Sequence, residues 1–177
     1  MTTLPRPRTH PTPTPNNTVA DSAHGLLVNP HKEGTVEHSI HFAQNATNMV
    51  YFPLEHLFWL GWRAPASLSP AFTDRMARWS SIAWATWIVL EIFRLRRAEA
   101  KLRKALRKEE KPEACARIKF QLSQSRLALF KQSCYLLQAV EWSVSGGIGL
   151  PPWLVNLLGL VGALAGLRAS WRASLAA

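Results

Sequence analysis

The stretch "LPPWLVNLLGLVGALAGL", residues 150–167, decides how the rest of this chain is read. Its 18 residues lie in a window without Asp, Glu, Lys or Arg that opens after Glu141 and closes at Arg168. As a helix it is roughly 27 Å long, at about 1.5 Å per residue, close to the hydrocarbon thickness of a bilayer. Pro151 and Pro152 suit a helix start, where a missing N–H costs little. Trp153 and Trp171 stand at opposite ends, where indoles favour the headgroup level, and Arg168 and Arg172 anchor one side. Asn156 is the one polar residue inside the run. A buried helix of a soluble bundle is the competing reading; a membrane span is the expectation.

The composition agrees with a lipid boundary. Lys and Arg number 21 against 11 Asp and Glu, a net charge of +10, and there are 8 Trp. Basic charge with abundant Trp fits either a nucleic-acid binder or a protein at the headgroup level. The two cysteines, Cys115 and Cys134, lie in helical patterns, so no disulfide scaffold is expected. The opening "MTTLPRPRTHPTPTPNN" lacks the apolar core of a secretory signal. A second candidate span, 76–93, contains "RWSSIAWATWIVLEIF" and is uncharged only from Trp79 to Leu90. It spans on condition that Arg78 snorkels and Glu91 finds a partner; Trp79 is then an interface residue.

Residues 1–34 are rich in Pro, Thr, Asn and His without periodicity, and read as a disordered leader. Residues 35–177 read as a helical membrane domain. Val36, Ile40, Ala43, Thr47, Val50, Leu54 and Leu57 recur at helical spacing from Thr35, with Pro53 expected to kink or restart that helix. Ser69-Pro70 is a start signal, Ser as N-cap and Pro at the first helical position. Over 94–111 the stripe Leu95, Ala98, Leu102, Ala105 and Leu106 is flanked by Lys and Arg, a basic amphipathic helix that Lys111-Pro112 breaks. Another long helix is expected from about Glu113 to Trp142, and the glycines of "SGGIG" separate it from the tail. The fold class is all-α: about four long helices, antiparallel through Pro and Gly turns, with one or two membrane spans.

No catalytic, cofactor or metal site is expected. His38 and His41 with Glu37 lack a third ligand and read as solvated; Glu55 and His56 have no nucleophile or second base nearby. "GGIG" runs into Pro-Pro without the Lys or preceding strand of a phosphate loop. The sequons at Asn16 and Asn45 carry meaning only in a secretory lumen. From Arg94 to Arg126 there are twelve Lys or Arg against four acids, a net of +8. Beside apolar segments, anionic lipid is the economical partner for Arg94, Arg97, Lys101, Lys104 and Lys108. A solvated charged helix is the plain alternative. Gly159, Gly162 and Gly166 make a small-residue face that lets helices approach closely in lipid, a candidate seam between copies.

Three stretches, "NATNMVYFPLEHLFWLG", "RWSSIAWATWIVLEIFRLRRAEAKLRK" and "LPPWLVNLLGLVGALAGL", resemble the peroxisomal membrane protein 11 family, most closely its gamma-type members. The match runs in order over roughly Asn45 to Trp171, with "PLEH" and "PPWLV" its more specific parts. The usual longer N-terminal half of the family is replaced here by the Pro/Thr-rich leader. The resemblance implies a non-enzymatic, multi-pass protein of the peroxisomal membrane acting in peroxisome elongation, fission and proliferation. It implies self-association, or association with other family members, and recruitment of fission adaptors and a dynamin-like GTPase. It also implies both termini in the cytosol, which with two spans puts the +8 connection in the matrix. The alternatives are a small-solute channel or transporter of the same membrane and a soluble basic helical module that binds nucleic acid. Nucleic acid is not an expected partner.

Overall fold

The computed structural model describes residues 35–65 and 67–174, and the expected disordered leader, 1–34, lies outside them. Four α-helices occur in this order: α1 (Thr35–Arg63), α2 (Pro70–Leu106), α3 (Pro112–Ser143) and α4 (Pro152–Ser174). No strand occurs among the described residues.

Local chemistry sets the boundaries. Ser69 is extended at φ −67° and ψ 145°, its Oγ accepts the N–H of Phe72 at 3.3 Å, and Pro70 opens α2. At the other end α2 stops at Leu106, short of the expected Lys111, with the Arg107 N–H bonded to the Arg103 carbonyl. Residues 107–111 are the turn into α3, which Pro112 opens. Between α3 and α4 the chain needs left-handed backbone: φ is +85° at Gly146, +75° at Gly147 and +90° at Gly149. The Glu141 carboxylate ties this turn down by accepting the N–H of Ile148 at 2.8 Å and of Leu150 at 3.3 Å.

Pro53 does not restart α1, which is continuous from Thr35 to Arg63. A single proline deletes one helical hydrogen bond, and α1 is docked on α2 to either side of it. Gln44 donates to Glu91 at 3.0 Å on one side. On the other, a Cβ on Gly61 would collide with the Thr73 side chain, so the two backbones meet closely only because Gly61 has none.

The helices approach one another in chain order: α1 with α2, α2 with α3, and α3 with α4. The architecture is therefore an antiparallel row, not a closed bundle. Its interior is thin and mixed. Ile88, Leu95, Leu122, Leu129 and Val155 are buried, but so are Gln44, Ser80, Ser81, Glu99, Gln132 and Gln138. The outward faces stay apolar, with Phe42, Met49, Trp59, Trp62, Trp79, Phe130, Trp153 and Trp171 all exposed.

Among the described residues one helix is long and apolar enough to cross a membrane, Pro152–Arg172 in α4, 21 residues, which takes in the tail candidate. The other candidate segment, 76–93, lies within α2, with Ser80 and Ser81 buried and Arg78 and Glu91 half-buried toward its ends. The basic helix continues the same α2 as its second half, and on its apolar stripe Leu95 is buried while Leu102 and Leu106 are half-buried.

Candidate membrane interface

α4 has two faces of different chemistry. Trp153, Leu157, Leu160, Leu164, Leu167 and Trp171 fall at alternating steps of four and three along the helix. All six are open, between 44% and 66% exposed. Such spacing draws one continuous apolar stripe down a helix. The opposite face carries the glycines and is closed by α3. A Cβ on Gly159 would lie 2.7 Å from Gln138 Nε2, one on Gly162 2.7 Å from Tyr135 Cε1, and one on Gly166 3.2 Å from Lys131 Cδ. Gln138 also donates to the Val155 carbonyl at 2.7 Å, a buried bond that fixes the register of α4 on α3. The small-residue face thus packs on α3 of the same chain.

The cations collect at one end of the row. The C-terminal turns of α4, with Arg168, Trp171 and Arg172 exposed, continue past Lys131 in the direction of the N-terminal end of α3. The α2–α3 turn lies toward that same end. Three successive antiparallel packings bring the basic connection and the end of α4 toward the same side of the row.

Within this basic end the five candidate lipid-binding residues divide. Arg94 pairs with Glu91 at 2.5 Å, and Arg97 approaches Glu37 at 3.7 Å. Lys101 also bonds Glu37, tying α2 to the first turn of α1. Lys104 and Lys108 are exposed and form no ion pair with another described residue. Glu99 receives Arg103 at 2.7 Å from its own helix and Arg126 at 3.5 Å from α3. The Lys101 hydrogen bond holds the Glu37 carboxyl below its ordinary value, and the Arg103 hydrogen bond does the same for Glu99. Two of the five cations, Arg97 and Lys101, therefore tie α2 to α1, Arg94 pairs within α2, and two face outward. Arg107, Lys111, Arg117 and Lys119, exposed around the same turn, extend the outward set. The sequence signal for them was the charge run itself, which does not distinguish bracing from outward cations.

At the opposite end Trp153 is open and Trp79, also exposed, lies on α2. No group of three or more His, Cys, Asp or Glu among the described residues is placed to hold a metal ion.

An all-helical row with one apolar helix of membrane-crossing length and a cationic turn toward its end defines a class, that of helical proteins with a candidate membrane anchor. Comparison with known proteins narrows it. The sequence model of peroxisomal biogenesis factor 11 matches residues 21–171, and the chain belongs to that family. It is 28% identical over 143 residues to an uncharacterised protein of Schizosaccharomyces pombe, covering 81% of this chain and 63% of that protein. It is 27% identical over 139 residues to human peroxisomal membrane protein 11C, covering 73% of this chain and 56% of the human protein. The chain thus spans somewhat over half the length of these curated relatives. No solved structure matches. The family is one of peroxisomal biogenesis factors and is not a known enzyme family.

Proposed function

We propose that this chain is an integral protein of the peroxisomal membrane that promotes peroxisome elongation and fission by remodelling the bilayer. The observation that carries the reading is the open stripe on α4, Trp153 to Trp171, beside a cationic turn at the helix's C-terminal end. Each of the six is about half exposed, so keeping it in water forgoes roughly 1 kcal/mol, about half of what full burial gives. Their sum is on the order of the whole stability of a domain, about 5–15 kcal/mol. Hydrocarbon removes that cost, and the indoles and Arg168 and Arg172 then sit at the headgroups. Lys104, Lys108 and the neighbouring outward cations meet anionic lipid on the face where α4 emerges. A wide, charged head fixed to one narrow anchor loads the two leaflets unequally, which supports curvature. Recruitment of fission adaptors and of a dynamin-like GTPase, and association between copies, belong to the same proposal by family resemblance.

Binding to liposomes tests the charged head. The full chain should be retained more strongly by vesicles containing anionic lipid than by neutral ones, with the difference shrinking as salt is raised. Equal, salt-insensitive retention would leave the outward cations without the role assigned to them.

A further inference from the structure

Between α1, α2 and the end of α3 lies a groove of about 520 Å³ that the anchoring role does not use. Its walls are aromatic: Trp59 from α1 faces Trp84 and Trp142, whose rings stack at 5.9 Å. Trp142 stacks one face on Trp84 and Trp59 packs against Phe58 and Trp62, yet both are about half exposed, which leaves part of each indole open to an occupant. The floor is low because α2 presents Ala77, Ser80 and Ser81 there. One carboxylate, Glu55, lines the groove, and no Lys, Arg or His does.

The polar groups narrow the occupant further. The Ser80 and Ser81 hydroxyls donate to the Ala77 carbonyl at 2.8 and 2.9 Å, and the Tyr51 hydroxyl donates to Glu55 Oε1 at 2.5 Å. These hydroxyl protons are spent inside the protein. An anion entering the groove meets a carboxylate and spent hydroxyls; a cation meets negative ring faces and the free oxygen of Glu55. A primary ammonium gives up a tight hydration shell to enter such walls. A quaternary ammonium, whose methyl groups carry the charge and need no hydrogen bonds, gives up much less. The groove also stands at the right height. Gln138 is level with Val155, and Trp142 lies one turn further along α3, beside the N-terminal end of α4 where Trp153 is exposed.

We propose that this groove binds the trimethylammonium headgroup of a phosphatidylcholine at the membrane surface opposite the basic turn, with Glu55 as counter-ion and Trp59, Trp84 and Trp142 as the cage. The proposal rests on the membrane reading for the source of its ligand, and binding in micelles measures it separately from anchoring. The full chain in maltoside micelles is titrated with dihexanoylphosphatidylcholine, following tryptophan fluorescence. Saturable binding is expected, about tenfold weaker for dihexanoylphosphatidylethanolamine and for the Glu55→Gln and Trp59→Leu variants. Trp59→Phe, which keeps a ring, should stay within about threefold of the parent, as should Phe130→Leu, an exposed ring on α3 outside the groove. All variants should resist carbonate extraction like the parent, so that loss of headgroup binding is distinct from loss of the anchor. Equal binding of the two headgroups, or indifference to both Glu55→Gln and Trp59→Leu, would overturn the site. Choline chloride competing as well as the lipid would overturn the lipid as its source.

Discussion

At Gly162 the difference between a pattern and its partner is a single hydrogen atom. A Cβ there would sit 2.7 Å from Tyr135 Cε1, so Gly162→Leu must push α4 away from α3. Overpacking of this kind costs about 1–3 kcal/mol. Amide hydrogen exchange around Gln138 should accelerate in the variant, because the bond from Gln138 to the Val155 carbonyl is stretched. Leu164→Ala, on the open face, should leave that exchange unchanged; acceleration by both or by neither would contradict the two-faced reading of α4. The glycine spacing was legible in the sequence, and so was its physical meaning, close helix approach. Which helix approaches was not, because a small-residue period carries no address. The address comes from Tyr135, Gln138 and Lys131, spaced along α3 among residues that read equally well as an ordinary helix face. Ser69 shows the opposite case: an N-cap acts within one turn, so its role was readable without knowing anything about tertiary structure.

Among the elements, the second half of α2 carries a pattern that two surroundings share. Leu95, Leu102 and Leu106 form an apolar stripe that would serve lipid or neighbouring helices alike; Leu95 is buried and the other two are half-buried. The charges decide between them only in pairs. Glu37 and Glu99, both depressed below the ordinary carboxyl value of 4.5, join α2 to α1 and to α3. A carboxyl depressed in the folded state contributes stability above its unfolded pKa and loses it as pH falls through the folded one. The row should therefore hold at neutral pH and loosen at this end in acid below about pH 4.5. Hydrogen exchange of the first turns of α1, corrected for the intrinsic pH dependence, should rise there, and Glu37→Gln should bring that rise to neutral pH. Protection unchanged in acid would contradict the bracing role. The outward cations make a separate prediction. Lys104→Gln with Lys108→Gln should weaken binding to anionic vesicles by about 1 kcal/mol per charge at low salt. Helix content should stay the same, since neither residue pairs with a described acid.

For the whole molecule, the four helices, their order and their turns were readable because each is written locally: Ser69-Pro70, Lys111-Pro112, and the glycines before Pro151 and Pro152. The arrangement as an open row was not, since it depends on which faces stay uncovered, and amphipathic spacing alone does not say what covers a face. Openness is what gives the account its centre. A closed bundle would hide the stripe on α4, whereas the row leaves it exposed from Trp153 to Trp171. Leu160 lies in the middle of that stripe and is 57% exposed. Leu160→Arg puts a charge at the centre of the proposed span, a cost of about 2.5–3.5 kcal/mol on insertion scales. Alkaline carbonate extraction of membranes from cells expressing the full chain is the direct measurement. The account predicts that the parent protein stays with the membrane pellet and that the Leu160→Arg protein moves largely to the supernatant. A parent protein released by carbonate, or a variant retained as fully as the parent, would contradict α4 as the membrane anchor.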